Sequence, residues 1–256
     1  MITDPWFYAA AVPALLIFGI SKGGFGAGLG MLAVPLMAQV VSPVQAAAIA
    51  LPILCAMDLV GLRSFWRAVP WSLVMLVLVP AFAGILLGMI TFQHLNLPVI
   101  EVLLGAIALL FTLWRLALAH WAVDRPPPGR WSGRLWGCVS GFTSFVAHAG
   151  GPPLAIWLLP QRLGKTSSQA INVVFFAVVN YAKLLPYAWL GQFDSQNLTT
   201  SLVLLPLAPI GVWIGVWCHA RVCDTWFYRI CYAALTLAGA KLLFDGLAGP
   251  GGLIAG

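Results

Sequence analysis

The sequence predicts an all-α integral membrane protein made of two inverted repeats, each a broken or re-entrant helical hairpin plus three transmembrane helices. Three observations predict it. Of the 256 residues, 61% are hydrophobic and 8% charged, whereas soluble domains carry about a quarter charged residues. So apolar a chain lacks the polar surface to cover a soluble fold. Two glycine-rich breaks interrupt apolar stretches at matching places in the two halves: Ser21-Lys22-Gly23-Gly24-Phe25-Gly26-Ala27-Gly28 and His148-Ala149-Gly150-Gly151-Pro152-Pro153. Finally, the basic residues fall in short loops and gather on one side when both broken segments are read as hairpins.

The first broken segment covers 6–40. No basic stretch precedes Trp6, so the segment is expected to be retained and not cleaved as a signal peptide. Clustered glycines end a helix because glycine loses the most backbone freedom there. Backbone released at bilayer depth must be buried in protein or line a polar cavity. Ser42-Pro43-Val44-Gln45 then reads as a capping box with proline at the first helical position. It opens a crossing over 44–62, followed by crossings over 70–91 and 98–119, each near the length a bilayer requires.

A charged, proline-rich stretch (Asp124-Arg125-Pro126-Pro127-Pro128-Gly129-Arg130) marks a cytoplasmic linker, 121–131, between a first repeat, 1–120, and a second, 132–256. The second broken segment covers 132–160. Thr166-Ser167-Ser168-Gln169 reads as a second capping box, and crossings follow over 167–190, 200–220 and 225–247. Gly84-xxx-Gly88 and Gly211-xxx-Gly215 are small-residue pairs that let helices approach closely in lipid. Break, cap and small pair recur in one order at offsets of about 122 to about 127 residues, as an internal duplication would leave them.

Charge placement selects the topology. Were all eight segments simple crossings, Arg63, Arg67 and the linker arginines would oppose Arg162, Lys165, Arg221 and Arg229. With two hairpins, ten of the 13 basic residues share one face: Arg63, Arg67, Arg115, Arg125, Arg130, Arg134, Arg162, Lys165, Arg221 and Arg229. Asp4, Glu101, Asp194 and Asp245 keep the other. A cytoplasmic face has this bias. Three crossings per repeat is odd, so the halves insert in opposite senses, the tips meet near the midplane, and both termini are extracytoplasmic. One long kinked helix is the alternative for either hairpin. The net charge of +6 is spent on these loops and does not point to nucleic acid. Trp66, Trp71, Trp114, Trp121, Trp131 and Trp136 lie near span ends, as an interfacial belt does. The five cysteines show no metal-ligand spacing, and no cofactor or metal is expected.

The tips carry the candidate site. Bare amides of Gly23, Gly24, Gly26, Gly150 and Gly151 suit an anion nest, and helices starting near Leu29 and Pro153 would add their positive ends. Lys22 is either the anion's counter-charge or a lysine that snorkels to the interface; Lys183 has the same two readings. Asn172, Phe176, Asn180 and Lys183 fall on one helical stripe, supplying donors to an anion or merely joining helices. Ser21, Ser140, Thr143 and Ser144 are further donors. His148 is a titrating group coupling transport to protons, or a neutral imidazole holding its tip. Asp58, the one acid well inside a span, carries a coupling proton, or neutralises Lys22 or Lys183.

These residues resemble the sulfite exporter / toluenesulfonate uptake permease (TSUP) family, the TauE/SafE-like transporters. The likeness rests on Gly19 through Gly28, Ala33-Val34-Pro35-Leu36, Gly141-Phe142, Ala147 through Pro153, and Leu158-Leu159-Pro160-Gln161. It implies a multi-pass carrier of the bacterial inner membrane for small sulfur-containing oxyanions such as sulfite, thiosulfate and two- or three-carbon sulfonates. Family members differ in substrate and direction, and many have a neutral residue where Lys22 stands. The expected partners are that anion and the lipid bilayer; a homo-oligomer stays open. Alternating access with proton coupling is the leading mechanism and a passive anion channel the alternative. No GxxxxGKS/T is present for direct ATP use, and no HExxH or GxSxG for an enzyme.

Overall fold

The computed structural model describes residues 1–25, 30–92, 94–120, 127–219, 224–249 and 252–254. Among them the chain is almost wholly helical and contains no strand. In chain order the helices are α1 (Pro5–Ile20), α2 (Ala33–Met37), α3 (Pro43–Phe65), α4 (Trp71–Phe92), α5 (Leu97–His120), α6 (Arg130–Ala147), α7 (Gly151–Leu158), α8 (Lys165–Trp189), α9 (Ser195–Leu204), α10 (Leu207–His219) and α11 (Asp224–Ala248). Gly26, Gly28, the helix start expected at Leu29, most of the linker and Arg221 lie outside the described residues.

Five of the described helical stretches are long and apolar enough to cross a bilayer: Pro5–Gly24, Pro43–Ala68, Trp71–Phe92, Leu97–Trp114 and Lys165–Trp189. The bent pair Ser195–Leu204 and Leu207–Cys218 makes a sixth. The protein is a multi-pass membrane protein. Helix α4 shows why the composition runs so high. Its inner stripe of Val74, Val77, Ala81, Gly84 and Gly88 is buried, while Met75, Val79, Phe82, Leu86 and Ile90 on the opposite side are exposed. A helix apolar on every side belongs in lipid.

Local signals account for most boundaries, with two corrections. Asp4 caps α1 by accepting from the Trp6 N–H at 2.9 Å, and the Ser42 hydroxyl caps α3 by accepting from the Gln45 N–H at 3.2 Å. The return half of that box does not form, because the Gln45 amide donates instead to Asn197 at 3.1 Å. The second capping box fails entirely. Helix α8 begins at Lys165 behind Gly164 without a side-chain cap, and Gln169 is buried toward the bundle. The crossing expected over 200–220 is two helices meeting at 41°. Pro206 sits between them and lacks the N–H a continuous helix needs.

Both broken segments are helical hairpins. In the second, α6 runs to His148 and α7 packs back along it. Trp157 lies against Gly133, and Gln161 Nε2 donates to the Pro128 carbonyl at 3.0 Å, so the segment ends beside where it began. In the first, α2 packs on α1 and the Phe18 ring covers Gly30.

The hairpins are gripped by helices of the opposite half. Helix α4 packs on α6 as α10 packs on α1, α5 pairs with α11, and α3 crosses α8. Glycines make the first two crossings possible. A Cβ on Gly84 would strike Cys138 and Phe142 of α6, and one on Gly211 would strike Gly19 of α1. Gly215 and Gly23 face each other in the same way. One end of the bundle joins Pro128 to Gln161 and Phe65 to Ala170. The other joins Ile2 to Thr200 and Gln45 to Asn197.

Candidate functional site between the hairpin tips

Helix α1 does not stop at Ile20. It widens over Ser21–Phe25 and loses helical geometry at Gly24, which is extended. The widened turn directs Lys22 inward, where its side chain is 10% exposed. Its ammonium forms an ion pair with Asp58 on α3, donates to the Leu54 carbonyl at 3.4 Å and stands 5.6 Å from the centre of the Phe18 ring, a cation–π contact. The other Asp58 oxygen accepts from Asn180 Nδ2 at 2.7 Å. Gln169 of α8 donates to the Lys22 carbonyl and thereby holds the tip backbone.

The second tip is built differently. His148 ends α6 in the left-handed conformation, φ 52° and ψ 23°, and the Ala149 N–H returns to the Thr143 carbonyl at 3.2 Å, a common way to close a helix. A non-glycine residue there carries strain that surrounding contacts must hold. Two contacts do so. His148 Nε2 lies 2.9 Å from the Ala47 carbonyl on α3, which only accepts, so Nε2 carries the proton. Nδ1 then accepts from Lys183 Nζ at 2.7 Å. Lys183 also donates to the Ser144 carbonyl at 2.8 Å and the Ser144 hydroxyl at 3.0 Å. Three acceptors match the three donors of an ammonium.

Between the tips lies a small pocket with a cavity volume of about 30 Å³. Both hairpins and both crossing helices line it. Ser21, Lys22 and Asp58 stand on one side; Ser144, His148 and Gly151 on another; Gln169, Asn172, Phe176 and Asn180 come from α8. Gly30 and Gly151, the first described residues of the two return arms, both reach it. Asn172 is 8% exposed, and its side-chain oxygen has no partner. A buried amide oxygen left unpaired against a cavity is costly in isolation; it only accepts, so a donor on a solute or a water relieves it, while the NH2 of the same amide is the donor an anion takes.

Several expected residues do other work. Gly23 is committed to the α10 crossing. The Thr143 hydroxyl turns back to the Val139 carbonyl of its own helix at 2.9 Å. Gly150 is packed on Ser140, whose hydroxyl donates to the Gly150 carbonyl at 2.6 Å. Lys183 neither snorkels nor faces the pocket: it is fully buried behind His148. Helix α7 starts at Gly151, two residues before the expected start, and Pro152 and Pro153 remove two amides from its first turn. Side chains therefore provide more of the donors than bare glycine amides. Of the two partners open to Asp58, the pair formed is with Lys22. Gln169 escaped notice because it read as a cap. The spacing 169, 172, 176, 180, 183 would have found it, one step earlier on the stripe already recognised.

This arrangement suits a small anion: a cation in reach, amide and hydroxyl donors around it, and apolar rings as walls. No curated protein and no solved structure matches the chain. The profile described as sulfite exporter TauE/SafE matches residues 11–242, which takes in the second hairpin, all but the start of the first and every residue of the pocket, and the chain belongs to that family of membrane transporters.

Proposed function

We propose that the chain is a secondary carrier that moves a small sulfur-containing oxyanion, such as sulfite, thiosulfate or a two- or three-carbon sulfonate, across the bacterial inner membrane by alternating access, with protons as the coupling ion. One observation carries the reading. The tips of two hairpins from opposite halves of the chain line a single pocket that holds Lys22 and the side-chain amides of Gln169, Asn172 and Asn180. Ser21, Lys22, His148, Gly151, Asn172 and Asn180 contact the anion in this reading, with Gln169 added.

The pairing of α4 with α6 and of α10 with α1, together with the self-paired α5–α11 and α3–α8, supports an inverted duplication, 1–120 and 132–256. Such a pair of repeats supplies two states of near-equal energy for alternating access. The closed ends of the second hairpin support re-entry from one face. The basic residues of that end, among them Arg63, Arg67, Arg130 and Arg162, support its being cytoplasmic, which leaves both termini extracytoplasmic.

A thermal-shift screen of the purified protein against sulfite, thiosulfate, sulfate, sulfoacetate, taurine and oxalate tests the substrate class, since a bound ligand raises apparent stability by mass action. Stabilisation by none of the sulfur anions overturns the reading. Counterflow of labelled anion in liposomes separates carrier from channel, because only a carrier accelerates exchange against unlabelled substrate on the far side.

A further inference from the structure

We propose that Asp58 couples transport to protons by holding Lys22: the pocket's cation passes to the anion when Asp58 takes up a proton. The inference rests on the carrier reading and adds the mechanism of coupling. Lys22 is the lysine that lines the pocket, and it is not idle. Its ammonium is paired with Asp58 Oδ1 and donates to the Leu54 carbonyl. Asp58 lines the same pocket and is 1% exposed. An anion approaching Lys22 therefore meets a second negative charge at contact distance, in surroundings that screen it poorly. Two anions on one ammonium repel, and the site takes one of them readily.

A proton on Oδ1 changes this. The carboxylate loses its charge and releases the ammonium, and Oδ1 becomes a donor that an oxyanion accepts. Oδ2 stays fixed by Asn180 Nδ2 at 2.7 Å, so the group keeps its orientation through the change. The proton comes from the water phase the pocket faces; one proton enters with each anion and leaves with it. Among the described residues Lys22 alone forms an ion pair with Asp58, and the Lys183 ammonium acts on it only at longer range. From α8 Asp58 faces Asn180, with the Tyr181 hydroxyl donating to the Cys55 carbonyl at 3.4 Å nearby. Cys55 lies on its own helix. Lys183 and His148 are committed to each other and to Ser144 and Ala47. Helices α2, α9 and α10 also pack on α3, and none has Asp, Glu, Lys or Arg; the charged residues of α5 and α6, Glu101, Arg130 and Arg134 among them, form no ion pair with Asp58 among the described residues.

The arrangement favours two states. The empty pocket holds a neutral pair, and the pocket with proton and monoanion holds a neutral acid beside a new ion pair. Proton alone leaves Lys22 unpaired, and anion alone leaves a negative excess. Each strands a buried charge, which is strongly unfavourable. Only the two compensated states move freely between faces.

The test is calorimetric titration of the purified protein with methanesulfonate and with ethanesulfonate, monoanions of strong acids that do not titrate near neutral pH, in buffers of different ionisation enthalpy. The expected result is uptake of about one proton per anion and an affinity that falls up to about tenfold per pH unit as pH rises. Asp58→Asn is expected to bind without proton uptake and without pH dependence. Wild-type binding with no proton taken up overturns this inference and leaves the carrier reading intact. Absence of binding by both anions at every pH overturns both. The wild-type proton count decides the matter even if Asp58→Asn fails to fold.

Discussion

Asp58 and Asn180 meet at the centre of the bundle, Nδ2 donating to Oδ2 at 2.7 Å, and they stand 122 residues apart. Ala47 and Gln169 have the same separation, and each holds the tip of a hairpin: Ala47 through its carbonyl to His148, Gln169 through its side chain to the backbone of Lys22. The crossing of α3 and α8 thus brings residues of unlike chemistry together. An acid stands on one side and its amide counterpart on the other, so one partner can change charge while the other keeps it oriented.

Removing Lys22 exposes the dependence of Asp58 on it. Lys22→Met strands a buried carboxylate, a loss of about 3 to 5 kcal/mol, visible as a lower unfolding midpoint in detergent. Adding Asp58→Asn recovers most of that stability but none of the anion binding measured by calorimetry. Full binding by the double variant would remove Lys22 from the site.

Asn172 behaves in the opposite way. Its amide has an unpaired oxygen, so Asn172→Leu leaves stability unchanged within about 1 kcal/mol or raises it. Anion affinity falls about tenfold or more, since a hydrogen bond to a charged group contributes roughly 1.5 to 3 kcal/mol. Thermal unfolding without ligand, set beside binding isotherms, separates the two effects.

Lys183 is an anchor of the second tip. Lys183→Met unpairs the Ser144 hydroxyl and His148 Nδ1 and leaves the Ser144 carbonyl only the His148 N–H, at a cost of about 2 to 4 kcal/mol. The unfolding midpoint drops even without anion. An unaltered midpoint with lost binding would instead make Lys183 a direct ligand.

The glycine crossings do not tolerate side chains. Gly84→Leu and Gly211→Leu both drive a Cβ into backbone of the facing hairpin, which cannot yield as a side chain can. Losses above the usual 1 to 3 kcal/mol of overpacking, roughly speaking, are expected, read as reduced folded yield. Gly129→Ala and Gly164→Ala, with nothing within 4 Å of the added Cβ, serve as controls and keep wild-type yield.

Single cysteines at Gly129 and Gln192, in a background with the native cysteines replaced, are expected to react with an impermeant thiol reagent from opposite sides of the membrane. Reaction from the same side removes the re-entrant topology.

Much of this was legible in composition and local pattern. A run of about 20 apolar residues becomes a helix in lipid because its backbone has no other partner. The glycine-rich stretches mark where both helices stop, the first losing helical geometry at Gly24 and the second turning at His148 just before Gly150, and Asp4 and Ser42 cap theirs by reaching neighbours two or three residues away. The small-residue pairs on α4 and α10 announced close crossings. These signals act within a few residues, so reading along the chain captures them. The break at Pro206 in the seventh apolar segment is equally local, since proline lacks the N–H a continuous helix needs.

Partnership was decided only in three dimensions. Gln45 and Gln169 looked like helix caps, yet both donate across the bundle, because burial against another helix offers acceptors that the local turn does not. Lys183 lay on a polar stripe beside Asn180, but the rotation of α8 against α6 turned it behind His148 and away from the pocket. The choice of Lys22 over Lys183 as the partner of Asp58 depends on how far the first hairpin penetrates beside α3. Such choices join residues 30 or more apart in the chain, and the packing angles that bring them together are a property of the whole assembly of helices.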